Sequence, residues 1–123
     1  MLRILFIARG TKSGQPTPII LNQGKSIEDA GQLVSYFPIK GNGYKAYIRS
    51  IFAIRKHLKT NAIDIIHAHY GLCGIIALFA RRREKVVISF MVDDIIGTNK
   101  ADGSILILSK AFALLNIFLA RRF

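Results

Sequence analysis

Apolar residues in this chain come as short continuous runs alternating with longer stretches of helical period. Leu2 to Ala8 is an unbroken apolar run, the pattern of a strand covered by helices on both faces. A polar loop with Gly10, Gly14 and Pro16 follows, from Arg9 to Thr17. Pro18 suits a first helical position, and a helix is predicted to Ala30, stopped by Gly31. Gly24 inside it should weaken it by about 1 kcal/mol relative to alanine. A second strand is predicted over Leu33 to Pro38, then a turn at Gly41-Asn42-Gly43. Tyr44, Tyr47, Ile48, Ile51, Phe52 and Leu58 recur at helical spacing and predict an apolar face on a helix from Tyr44 to Lys59.

The stretch Asp64-Ile65-Ile66-His67-Ala68-His69-Tyr70-Gly71-Leu72-Cys73-Gly74 reads as a buried strand, a tight glycine turn and the start of a helix. The strand is placed at Ile63 to His67 and the helix at Leu72 to Arg82. Lys85 to Phe90, rich in β-branched residues, is the fourth strand. Met91 to Ser104 is a loop, and Ile105 to Arg122 a final apolar helix whose closing arginines suit a helix carboxyl end. Strand and helix alternating four times predict an open parallel sheet with crossover helices, a Rossmann-like α/β class. No repeat or low-complexity segment interrupts the pattern.

Length allows one domain with a sizeable core. Net charge changes the picture more: 18 Lys and Arg against 7 Asp and Glu give +11. Such a surface favours anionic partners, whether phosphates, nucleotides, lipid headgroups or nucleic acid. The single Cys73 forms no internal disulfide, which fits a reducing compartment. The apolar start is short and meets Arg9 and Lys12 at once, so it reads as a strand and not a signal peptide. Ile105 to Ala120 is too short and too polar for a membrane span.

In open α/β sheets ligands sit beyond the carboxyl ends of strands. His69 falls at such an end and is placed either to hydrogen-bond a ligand or to pack in the core. His67, two residues earlier, shares its side of the strand and is expected to lie deeper. Two histidines without a third ligand do not make a metal site. Gly10 and Gly14 let the backbone approach a phosphate near a helix amino terminus. Their spacing is not the dinucleotide fingerprint, so no nicotinamide cofactor is expected. Lys12 adds a cation there. Asp93 and Asp94 follow the fourth strand, as a base and a sugar-hydroxyl ligand or as an ordinary solvated turn. Lys45, Arg49, Lys56 and Lys59, set apart from an apolar face, suit an anionic membrane surface.

Two runs carry a resemblance: Asp64 to Gly71, and Val87-Ile88-Ser89-Phe90-Met91-Val92-Asp93-Asp94-Ile95-Ile96-Gly97-Thr98. With Gly14, Pro18, Gln23, Gly31 and Ile54 to Lys59, and with Ser109-Lys110 and Leu115-Asn116 late in the chain, they resemble glycosyltransferase family 4. The match is to the amino-terminal Rossmann-like domain of a two-domain, GT-B type enzyme. It implies hexosyl transfer from a nucleotide sugar to a glycan or lipid-linked acceptor, with the acceptor held by this domain. The nucleotide sugar is a co-substrate held mainly by a second domain; no cofactor or metal is expected. Taken with the resemblance, His69 and Asp94 are the catalytic candidates, and Gly10, Gly14, Gln23, His69, Tyr70 and Asp93 the substrate-binding ones. The location implied is cytoplasmic, peripheral on the membrane face.

Two departures stand out. Val92 replaces the family's usual glycine, costly if that backbone needs positive φ. The chain also ends at Phe123, where the family would begin another strand, so a truncated product, inactive without a donor domain, is the expectation. The competing expectation is a non-catalytic basic module for anionic membrane or nucleic acid. Nucleic acid is not expected, because no stacking platform or known reading motif is visible.

Overall fold

A computed structural model describes residues 1–41, 43–90, 114, 115, 117, 118 and 121. The chain divides into two units, Met1–Ser89 and Phe90–Phe123. The first contains β1 (Arg3–Arg9), α1 (Pro18–Asp29), β2 (Leu33–Ile39), α2 (Gly43–Thr60), β3 (Ile65–His69), α3 (Gly71–Ala80) and β4 (Lys85–Ser89). The second shows helix at Leu114, Leu115, Ile117, Phe118 and Arg121, within the helix predicted over Ile105 to Arg122. The predicted Met91–Ser104 loop lies outside the described residues. No described helix is long and apolar enough to cross a membrane.

The four strands form one parallel sheet in the order β2-β1-β3-β4, and the expected Rossmann-like α/β class holds. Alternation along β1 divides the core. Ile4, Phe6 and Ala8 meet Ile20 and Ile27 of α1 on one face. Leu5 and Ile7 join Ile54 and Leu58 of α2, and Cys73, Ile76 and Ala77 of α3, on the other. Each fully buried Leu, Ile or Phe contributes about 1.5–3 kcal/mol. Chain order reverses about β1, with β2 on one side and β3 on the other. The carboxyl ends of β1 and β3 therefore bound the topological switch point, where ligands bind in such sheets.

Pro18 starts α1 as predicted, and Gly31, at φ 89°, lies just past its end. Gly24 is explained by what it touches. A Cβ built there would overlap the Tyr36 hydroxyl, so glycine lets α1 lie close on β2.

Two predicted details are corrected. β3 covers Ile65–His69 and not Ile63–His67. Asp64 sets that start: its carboxylate accepts from the Arg3 amide at 2.8 Å, and its own amide donates to the Arg3 carbonyl at 2.9 Å. The apolar face expected on α2 is half right: Tyr47, Ile51 and Leu58 pack on the core, whereas Tyr44, Ile48 and Phe52 do not. Ala46, Ser50, Ile54 and Leu58 are the buried stripe. Tyr44, Ile48 and Phe52 are 72%, 49% and 69% exposed. Small Ala46 and Ser50 seat the helix closely, and Ser50 satisfies its hydroxyl by donating to the Ala46 carbonyl at 2.8 Å.

Exposed Tyr44, Ile48 and Phe52 recur every four residues on α2, and Phe79 of α3 is also exposed. Apolar surface of this kind binds hydrophobic probes. Nile red, a neutral dye chosen because the chain is cationic, should brighten on mixing. The pair Ile48→Ser with Phe52→Ser should remove at least half of that signal without changing the circular dichroism. Undiminished fluorescence would place the dye elsewhere.

Candidate functional site

Register puts the first two strand-to-helix loops of the switch point level with each other. Ile7 pairs with Ala68, so Arg9 and Gly10 leave the sheet beside Tyr70 and Gly71. Two groups of side chains meet here, one on each face.

On the α1 face, His67 and His69 stack with ring centroids 4.3 Å apart. Phe6 packs against both, at 4.9 and 4.6 Å. They share one side of the strand, as period two requires. His69, at 3% exposure, is the more buried, which reverses the expectation that His67 lies deeper. His67 Nε2 hydrogen-bonds Ser89 Oγ at 2.7 Å. His69 Nε2 is buried and, among the described residues, has no partner. An unpaired buried polar atom costs about 1–3 kcal/mol. Burial and the adjacent His67 lower the His69 pKa from 6.5 to about 4. Burial lowers His67 as well.

On the α2 face, Arg9 Nη1 donates to the Tyr47 hydroxyl at 2.8 Å. Burial and a hydrogen bond with Tyr47 hold the Tyr70 phenol above its usual range. The three side chains tie the end of β1 to α2 and to the start of α3. Tyr70 itself sits at φ 77° and ψ 153°, backbone that essentially only glycine adopts. Strain of that kind gathers at functional sites. Tyr47 was read from sequence only as part of an apolar face; its hydroxyl leaves no mark on a hydrophobic period.

The glycine loop lies on the other side of β1. Gly10 and Gly14 line a groove of about 560 Å³ with Lys12, Ser13 and Lys40, between the ends of β1 and β2. Gly14 adopts φ 78°, and the Gly10 amide donates to the Ile39 carbonyl at 3.0 Å. His69 and Tyr70 do not line that groove. Gln23 is exposed in the second turn of α1 and does not line it either. Asp93 and Asp94 lie outside the described residues, as does Val92. Lys45, Arg49, Lys56 and Lys59 are all exposed on α2. No group of three or more potential metal ligands occurs among the described residues.

A family model described as glycosyl transferase 4-like matches residues 18–120, which span α1, the switch-point end of β3 and the Asp93-Asp94 pair. No curated protein and no solved structure matches the chain. The family match assigns glycosyltransferase chemistry at the level of the class. On its parallel sheet and this match, the chain belongs to the glycosyl transferase 4-like family.

Proposed function

We propose that this chain is the acceptor-binding part of a nucleotide-sugar-dependent hexosyltransferase of GT-B type, with the donor held by a separate domain. The observation that carries the reading is the Nε2 of His69 at the β1–β3 switch point, unpartnered among the described residues. Sugar transfer breaks the bond from the anomeric carbon to phosphate and forms one to an acceptor oxygen, whose proton must leave. A pKa of about 4 keeps the imidazole neutral at pH 7 but makes it a weak base. His69 therefore suits holding an acceptor hydroxyl, and the proton falls to a stronger base. Asp94 is the candidate from sequence. The ring is 3% exposed, so a ligand reaches it only once the crevice opens. Gly10, Gly14 and Lys12 supply backbone and charge for a phosphate in the separate groove between the ends of β1 and β2.

A second observation supports a membrane-side acceptor. Exposed Tyr44, Ile48 and Phe52 share α2 with exposed Lys45, Arg49, Lys56 and Lys59. Apolar groups among cations suit a helix lying on anionic lipid. A peripheral, cytoplasmic-face location follows from that reading. The same face also suits the rival, a basic module without catalysis.

Amide-resolved titration separates the readings. Glycan acceptor should shift Tyr70, Gly71 and Gly10, and His69→Ala should weaken that binding by about tenfold, near 1.4 kcal/mol. Binding to an oligonucleotide alone, falling steeply with salt, would overturn the acceptor reading.

A further inference from the structure

Ser89, the last residue of β4, stands opposite His69 in the β3–β4 register. It holds the end of β3 at two points. Its Oγ is hydrogen-bonded to His67 Nε2 at 2.7 Å, and its carbonyl accepts from the Tyr70 amide, also at 2.7 Å. His67 precedes His69 by two residues and Tyr70 follows it at once, so the two holds lie on either side of His69. The His67 ring carries one of them inward. It lies only 23° from the plane of the His69 ring, with centroids 4.3 Å apart. Phe6 leans on both rings from β1, at interplanar angles of 75° and 57°. Such packing settles the plane of an imidazole but not its edge, because a ring turned over by half a turn has nearly the same outline. A hydrogen bond at Nε2 separates the two orientations for His67.

We propose that Ser89 is a positioning residue for His69. Its hydroxyl fixes which edge of the His67 ring faces β4, so the His67 ring dipole points one way. The stacked His69 imidazole orients against that dipole. The Ser89 carbonyl fixes the turn that follows, and the Tyr70 carbonyl ties that turn to α3 by accepting from the Gly74 amide at 3.1 Å. This rests on the acceptor reading for what His69 Nε2 meets, an acceptor hydroxyl. A ring aimed in advance spares the ligand the cost of ordering it on binding.

NMR of the histidine ring nitrogens and protons tests this on the full chain with no ligand present. His69 should give one set of ring signals. Ser89→Ala should shift or broaden that set, although the hydroxyl is bonded to His67, and Ser89→Thr should restore it. The Tyr70 amide should stay equally protected from hydrogen exchange throughout, since both variants keep the carbonyl. In a His67→Phe background Ser89→Ala should leave the His69 signals in place, because the ring that passes on the hold is gone. Unmoved His69 signals in Ser89→Ala alone would overturn the proposal. So would lost protection at the Tyr70 amide in that variant, which would make the hydroxyl a support of the strand end. With maltose as the glycan probe, Ser89→Ala should weaken binding by about threefold and Ser89→Thr should recover it. His69 signals that respond as expected, while maltose shifts neither Tyr70 nor Gly71, would tell against the acceptor reading and leave the positioning in place.

Discussion

Acidification from pH 7 to pH 4 should destabilise the fold by about 1–3 kcal/mol through His69 alone. The imidazole is 3% exposed, packs on Phe6, and has its pKa lowered from 6.5 to about 4. Between those values the unfolded chain binds the proton and the folded chain does not, so stability falls as pH falls. His67 adds in the same direction, because burial lowers its pKa too. The stacked pair at 4.3 Å resists double protonation further. Urea unfolding across this window gives the slope directly. His69→Leu keeps an apolar body beside Phe6 and removes the titration, so its curve should be flatter than that of the parent. Parallel curves would mean that His69 titrates normally and is not sealed in the sheet.

Gly24→Ala should destabilise by about 1–3 kcal/mol, the usual cost of overpacking. Helix propensity alone predicts the opposite, a gain of about 1 kcal/mol. Sterics win because the new methyl would overlap the Tyr36 hydroxyl and lie 2.8 Å from its ring carbon Cζ. The sign should therefore depend on the neighbour. In a Tyr36→Ala background the same change should stabilise, since only propensity remains. Thermal melts of the four proteins form a double-mutant cycle with a large coupling energy. Additive effects would show that α1 does not rest on β2 through this glycine.

The alternation of strands and helices was legible because period two and period 3.6 are set by burial, and burial dominates the folding energy. Pro18 and Gly31 marked the ends of α1 because each acts through its own backbone. The buried face of α2 was legible only in part, through Tyr47, Ile51 and Leu58. Ala46 and Ser50 pack there by being small, while exposed Tyr44, Ile48 and Phe52 imitate a core stripe. The start of β3 was misplaced because Asp64 ends the preceding segment by pairing with Arg3, a contact 61 residues away in sequence. At the site, the pairing of His67 with His69 followed from strand period. That His69 Nε2 has no partner among the described residues did not, since it depends on what surrounds the ring. The link from Arg9 to Tyr47, and the reach of Lys40 over Gly14, join elements that only the fold brings together.

The corner at residue 70 sets durability against chemistry. A tyrosine held at φ 77° gives up about 1–3 kcal/mol to the backbone. Glycine there should make a hardier protein, yet it would sever the hydroxyl tie to α2 and free the loop that presents His69. Selection for heat resistance alone would drift toward that exchange, and the hardier chain should hold its acceptor less well.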